Sequence, residues 1–166
     1  MNYRNLMDPA VLAFCLFVGT SGAAQAENYA DEKAQILQIE QNMAVIPTAA
    51  EALKYFDTNI VLDDLTPKRT TGKKAVGALI TAQFSTIKNV KVQILQISVD
   101  ADRNLGFAYS LQKISMTMIP SNMAMTTIYR QIDCYRKTAG KWSLVYQNLS
   151  VPFDPSTGKA VLDDAP

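Results

Sequence analysis

Partway along this 166-residue chain the hydrophobic pattern changes its period, and that change restricts the possible folds more than any other feature. In the first half, apolar residues recur at helical spacing. Ile36, Ile39, Met43 and Ile46 predict an amphipathic helix over Asp31 to Val45, ended by Pro47. Thr48 and Glu51 form a capping box for a second short helix running to Phe56. Asn59 to Leu62 reads as a short strand, and a third helix follows Gly72 through Phe84. From Val90 the pattern alternates with period two over long runs: Val90 to Val99, Leu105 to Ile119, Met125 to Lys137 and Trp142 to Phe153. Turn signals at 100–104, 120–122 and 138–141 separate them. Helices first and hairpin-linked strands after predict an α+β domain, its helices covering one face of a curved antiparallel sheet.

The N-terminus does not belong to that pattern. A polar lead with Arg4, the apolar run Val11 to Val18 and the small-residue motif Ala24-Gln25-Ala26 have the order of a cleavable signal peptide over residues 1–26. The apolar run is too short to span a bilayer as a helix, and the regular order of the three regions stands against the competing account, a buried N-terminal helix. The expectation is a periplasmic or secreted protein, a single domain over residues 27–166 and no stable membrane anchor after cleavage. Cleavage would remove Cys15 and leave Cys134 alone, so no disulfide forms within the mature chain.

Composition narrows the function classes. Lys and Arg total 16 against 15 Asp and Glu, a balance without the basic footprint of a nucleic-acid binder. The chain has no His, which removes the Ser-His-Asp triad, Cys-His catalysis and the common His-containing zinc sites. No cofactor or metal is expected.

Two stretches carry a resemblance. Phe56-Asp57 through Gly72, with Asp63-Asp64 before a Gly-initiated helix, resembles the strand–bend–helix entry of SnoaL-like domains in the nuclear transport factor 2-like superfamily. The segment from Tyr135 through Gly140 and Trp142 to Ser150-Val-Pro152 resembles that family's closing hairpin. The resemblance spans nearly all of residues 27–166 and implies a cone-shaped fold, a curved sheet wrapped over helices with a pocket at one end.

Some members, ketosteroid isomerase and polyketide cyclases among them, use pocket acids for proton transfer. By that resemblance Asp63, counted back from Gly72, stands where a general base would. Asp133, counted back from Gly140, stands where a protonated hydrogen-bond donor would. The isomerase's Tyr is missing from Ile39 to Met43, and the His pair usual near the end of the domain is replaced by Tyr146 and Asn148.

Read from the residues alone, Asp63 and Asp64 equally suit a solvated bend, and Asp133 a hydrogen-bonded structural acid. Alternation puts Asp133 on one face with Tyr129, Gln131 and Tyr135, leaving Ile132 and Cys134 outside as an apolar face that a homodimer would cover. The same reasoning points Tyr109 and Leu111 toward the pocket, with Tyr109 replacing the missing Tyr. Ile39, Met43, Val145 and Gln147 complete the expected lining. Two functions stay open: a pocket binding a small apolar molecule, or a cofactor-independent isomerase or cyclase using Asp63 and Asp133.

Overall fold

The computed structural model describes residues 29–45 and 48–161. The signal-peptide segment with Ala24-Gln25-Ala26, and Ile46 and Pro47, lie outside the described residues. Helix α1 covers Ala30–Ala44 and α2 covers Ala49–Ala52, which a 3₁₀ turn at Leu53–Tyr55 extends. Strands β1 (Phe56–Asp63) and β2 (Arg69–Thr71) precede helix α3 (Lys73–Phe84). Four long strands follow: β3 (Ile87–Ala101), β4 (Leu105–Met118), β5 (Met123–Thr138) and β6 (Lys141–Ser150). A small hairpin of β7 (Phe153–Asp154) and β8 (Lys159–Ala160) closes the described chain. The α+β architecture read from the periodicity is therefore the architecture observed.

Local chemistry explains the boundaries. The Thr48 hydroxyl accepts from the Glu51 N–H at 3.4 Å, capping α2. Gly72 has φ 85°, a left-handed conformation that lets the chain turn from β2 into α3. β6 stops at Ser150, short of the expected Phe153, two residues before Pro152, which has no N–H to give a ladder. Strand β2, only three residues long, was not foreseen.

The six-stranded sheet has the order β2-β1-β6-β5-β4-β3, antiparallel except where β1 runs parallel to β6. Its helix-covered face forms the core. Ile36 of α1 and Val76 of α3 are fully buried with Ile60, Leu144 and Tyr135 from the sheet. α1 lies so close to β4 that a Cβ placed on Gly106 would stand 2.3 Å from Ile36 Cδ1. Glu32 fastens the other side of α1 to the closing hairpin. It accepts from Lys137 Nζ at 2.6 Å and from Trp142 Nε1 at 3.1 Å. These ties set the depth at which α1 sits over the sheet, and hence the space left beneath it.

Candidate functional site

Alternation along β4 and β5 decides what faces that space. Ala108, Ser110 and Gln112 of β4 pair with Asp133, Gln131 and Tyr129 of β5, and all six are buried. On β6 a bulge leaves Val145 without a partner between Leu144, opposite Tyr135, and Tyr146, opposite Cys134. The extra residue shifts the parity, so Gln147 comes opposite Asp133. Together with α1 and α3 these strands enclose a cavity of about 200 Å³. Met43, Phe56, Ile80, Phe84 and Val92 form its apolar wall. Its polar wall is Glu40, Gln83, Gln112, Tyr129, Gln131 and Gln147.

Behind the polar wall lies Asp133, with no exposed surface. Its Oδ2 accepts from Gln131 Nε2 at 2.6 Å and its Oδ1 from Gln147 Nε2 at 3.0 Å. It also shares a side-chain hydrogen bond with Glu40, which can exist only if one of the two carboxyls holds a proton. Tyr135 donates its hydroxyl to Glu40 Oε1 at 2.7 Å. Burial is the main force raising the Asp133 carboxyl well above the usual carboxylate range, and the neighbouring Glu40 charge adds to it. Glu40 is raised too, again chiefly by burial, while its bonds from Asp133 and Tyr135 pull it back. Burial therefore favours the neutral form of both carboxyls, and a proton held between Asp133 and Glu40 satisfies their shared hydrogen bond. A second chain runs beside the first. Tyr129 donates to Gln112 Oε1 at 2.9 Å, and Gln112 Nε2 donates to Ser110 Oγ at 2.8 Å.

Sequence reasoning found part of this site. Asp133, Gln131, Tyr135, Gln147 and Met43 come together as a network and its adjoining wall. Ile39 packs against the core rather than lining the cavity. Other expectations are corrected. Tyr109 is 55% exposed on the outer face, stacked near Phe107, and Leu111 shares its side of the sheet. The cause is an inverted strand: the inner face of β4 carries small and polar residues because it faces polar partners. Val145, as the bulged residue, is not part of the lining.

Asp63 and Asp133 do not converge. Ile60 and Leu62 fill the inner face of β1, so Asp63 turns outward. There it accepts from Arg69 Nε at 2.8 Å and Nη2 at 2.7 Å, and from the Tyr146 hydroxyl at 2.9 Å. The Arg69 bonds hold its carboxyl below the ordinary range. Its neighbour Asp64 comes nearer the cavity, accepting from Gln83 on the wall.

Glu40 is the residue that sequence reasoning missed. Its signal was present, because Glu40 falls on the Ile36–Met43 stripe, four residues after one and three before the other. Among the described residues, no group of three or more His, Cys, Asp or Glu side chains could hold a metal ion. A larger open groove of about 1230 Å³ runs along α3. Its walls are mostly small residues with Lys73 and Lys74, whereas among the described residues the buried carboxyls, Glu40 and Asp133, lie at or behind the smaller cavity.

Known proteins agree with this architecture. A SnoaL-like domain family model matches residues 48–154. Among solved structures, a nuclear transport factor 2-like protein of unknown function from Pseudomonas putida superposes with a TM-score of 0.69 at 21% identity, over 82% of this chain and 98% of its own. A nuclear transport factor 2-like superfamily protein from Salmonella enterica gives 0.71 at 12% identity, over 81% and 100%. A ketosteroid isomerase-like protein from Erwinia carotovora gives 0.58 at 17% identity, over 75% and 95%. At these identities the likeness establishes the fold alone. No curated protein matches the chain.

Proposed function

Because the chain belongs to the SnoaL-like domain family, a family with both ligand-binding and isomerase or cyclase members, we propose that it binds a small molecule in the cavity beneath α1. The observation that carries this reading is a cavity of about 200 Å³ lined both by apolar side chains and by amides, a phenol and a carboxyl. Such a lining suits a compact, largely apolar molecule that carries a polar group. The size favours a molecule smaller than the drug-sized ligands that fill pockets of roughly 300–1,000 Å³.

Binding is preferred over proton transfer because of where the acids lie. Asp63, the candidate base, is engaged by Arg69 on the outer face. Asp133 is bonded to Glu40, with both of its oxygens already accepting from Gln side chains. The N-terminal pattern supports export to the periplasm or beyond, with Glu27 as the first residue of the mature chain. The apolar outer face supports a homodimer.

The test fills the cavity. Ala44 lines it, and Ala44→Phe would occupy it. Titration with p-cresol by calorimetry should give measurable binding to the unmodified chain, weakened about tenfold or more in Ala44→Phe. Equal affinity for both proteins would place the binding elsewhere and reject the proposal.

A further inference from the structure

The chain carries 7 methionines, and four of them fall between residues 116 and 125, a concentration that the cavity does not use. Met116 and Met118 end β4, and Met123 and Met125 begin β5. The β4–β5 ladder runs without a bulge from Leu105 to this end, where Met116 stands opposite Met125 and Met118 opposite Met123. Residues opposite one another, and residues two apart on one strand, share a face of the sheet. All four side chains therefore project from one patch, on the face that carries Gln112 and Tyr129 but beyond the cavity.

Core packing does not account for the group. Met43 packs against the core, whereas none of these four does, and Met123 is 57% exposed. The patch is nevertheless held in place. The Ile119 N–H donates to the Thr86 carbonyl at 2.9 Å, tying the hairpin tip to the chain entering β3. The Ser115 and Thr126 hydroxyls meet at 3.0 Å on the opposite face. Lys88 and Lys91 stand opposite Thr117 and Ser115, so these cations also belong to that other face, with Lys113.

Four thioethers in this arrangement make a soft, neutral donor set. Facing Cβ atoms across a ladder lie roughly 4.5–5.5 Å apart, and residues two apart on a strand about 7 Å. Each methionine has three rotatable bonds, which lets four sulfurs close on a point between them. A thioether has no proton to lose and no charge to offer. Zinc takes thiolate, imidazole or carboxylate, and calcium and magnesium take oxygen, whereas soft sulfur selects copper(I). We propose that this methionine quartet binds one soft monovalent cation of the copper(I) class. The site lies apart from the cavity and does not depend on what the cavity binds.

Silver(I) is the probe, because it shares the charge and softness of copper(I). Silver nitrate is titrated into the mature chain carrying Cys134→Ser, which removes its competing thiol, while the methionine methyl signals are followed by NMR. One equivalent should shift Met116, Met118, Met123 and Met125 together and leave Met43 in place, and the same amount of zinc should shift none of them. Met118→Leu combined with Met123→Leu conserves side-chain volume but removes two sulfurs. It should weaken silver binding about tenfold or more and leave p-cresol binding unchanged. Silver shifts absent from the quartet or confined to one cross-strand pair would overturn the proposal, as would zinc binding there as tightly as silver. So would unchanged silver affinity in the double variant, the result expected if the four methionines serve only as an apolar surface.

Discussion

At the scale of single residues, the Glu40–Asp133 pair organises the site, and its buried proton has a thermodynamic consequence. Both carboxyls are raised in the folded state, mainly by burial. Between the ordinary carboxylate range and those raised values, the native protein holds more protons than the unfolded chain. Stability is therefore highest in mild acid and falls as pH rises through the folded-state titration of the pair. Asp133→Asn can still donate to Glu40 without carrying a charge. It should flatten that decline and make the protein relatively more stable at alkaline pH, as read by urea unfolding across a pH series. An unchanged slope would mean that the pair does not titrate as described. Asp63 has the opposite sign. Held low by Arg69, it favours the folded state above the ordinary range, and that contribution disappears as pH falls through its folded value. Because Asp63 lies outside the cavity, bonded to Arg69, Asp63→Asn should leave cavity binding unchanged in the p-cresol titration, whereas a base role would require a loss. The face of Asp133 was legible because strand alternation is strict. Tyr109 and Leu111 mislead because hydrophobicity ordinarily marks the inner face, and this strand's inner face is the polar one. Glu40 was overlooked because a lone acid on an apolar stripe has meaning only beside its partner, 93 residues along the chain by number.

At the scale of elements, the sequence displayed the helices and hairpins well, since each rests on a local period and a local turn. What it hid was produced by neighbours. The β1–β2 pairing sets Asp63 opposite Arg69, and three residues of β2 are too few to show a period. The Val145 bulge is invisible to alternation, yet it brings Gln147 rather than Tyr146 opposite Asp133. Helix α1 packs tightly on β4 at Gly106. At Gly106 an added Cβ would also meet Ala101 Cβ at 3.1 Å and the Asp100 carbonyl oxygen at 3.2 Å. These are a neighbouring strand's backbone and a short side chain, which yield little. Gly106→Ala should destabilise the protein by roughly 1–3 kcal/mol through overpacking. It should also weaken cavity binding, because α1 carries Glu40 and Met43 over the sheet. Chemical denaturation with a parallel p-cresol titration checks both effects. A neutral substitution would show that α1 is free to lift.

At the scale of the whole molecule, the sheet divides the protein into two surfaces with different tasks. The helix side encloses the cavity. The other side exposes Phe107, Tyr109 and Ile132, with Tyr109 directly opposite Ile132 across the β4–β5 ladder. Adjacent apolar groups of this kind mark a contact surface, and the proposed homodimer would cover them. Sedimentation should find the mature chain dimeric and an Ile132→Asp, Tyr109→Glu variant monomeric, with ligand binding retained because the cavity faces the other way. A double variant that sediments like the unmodified protein would remove this face from the assembly. The fold itself was legible at this scale because the order of periods fixes the layers. The cavity was not, since its walls come from three helices and five strands whose register no single stretch records. The claim on which the account depends is that this cavity is the ligand site. Methyl NMR of Met43, Ile80 and Val92 during titration with cyclohexanol tests it most directly. The account predicts shifts at those three residues and none at Ala78 and Thr81 along the α3 groove; shifts confined to the groove would contradict it.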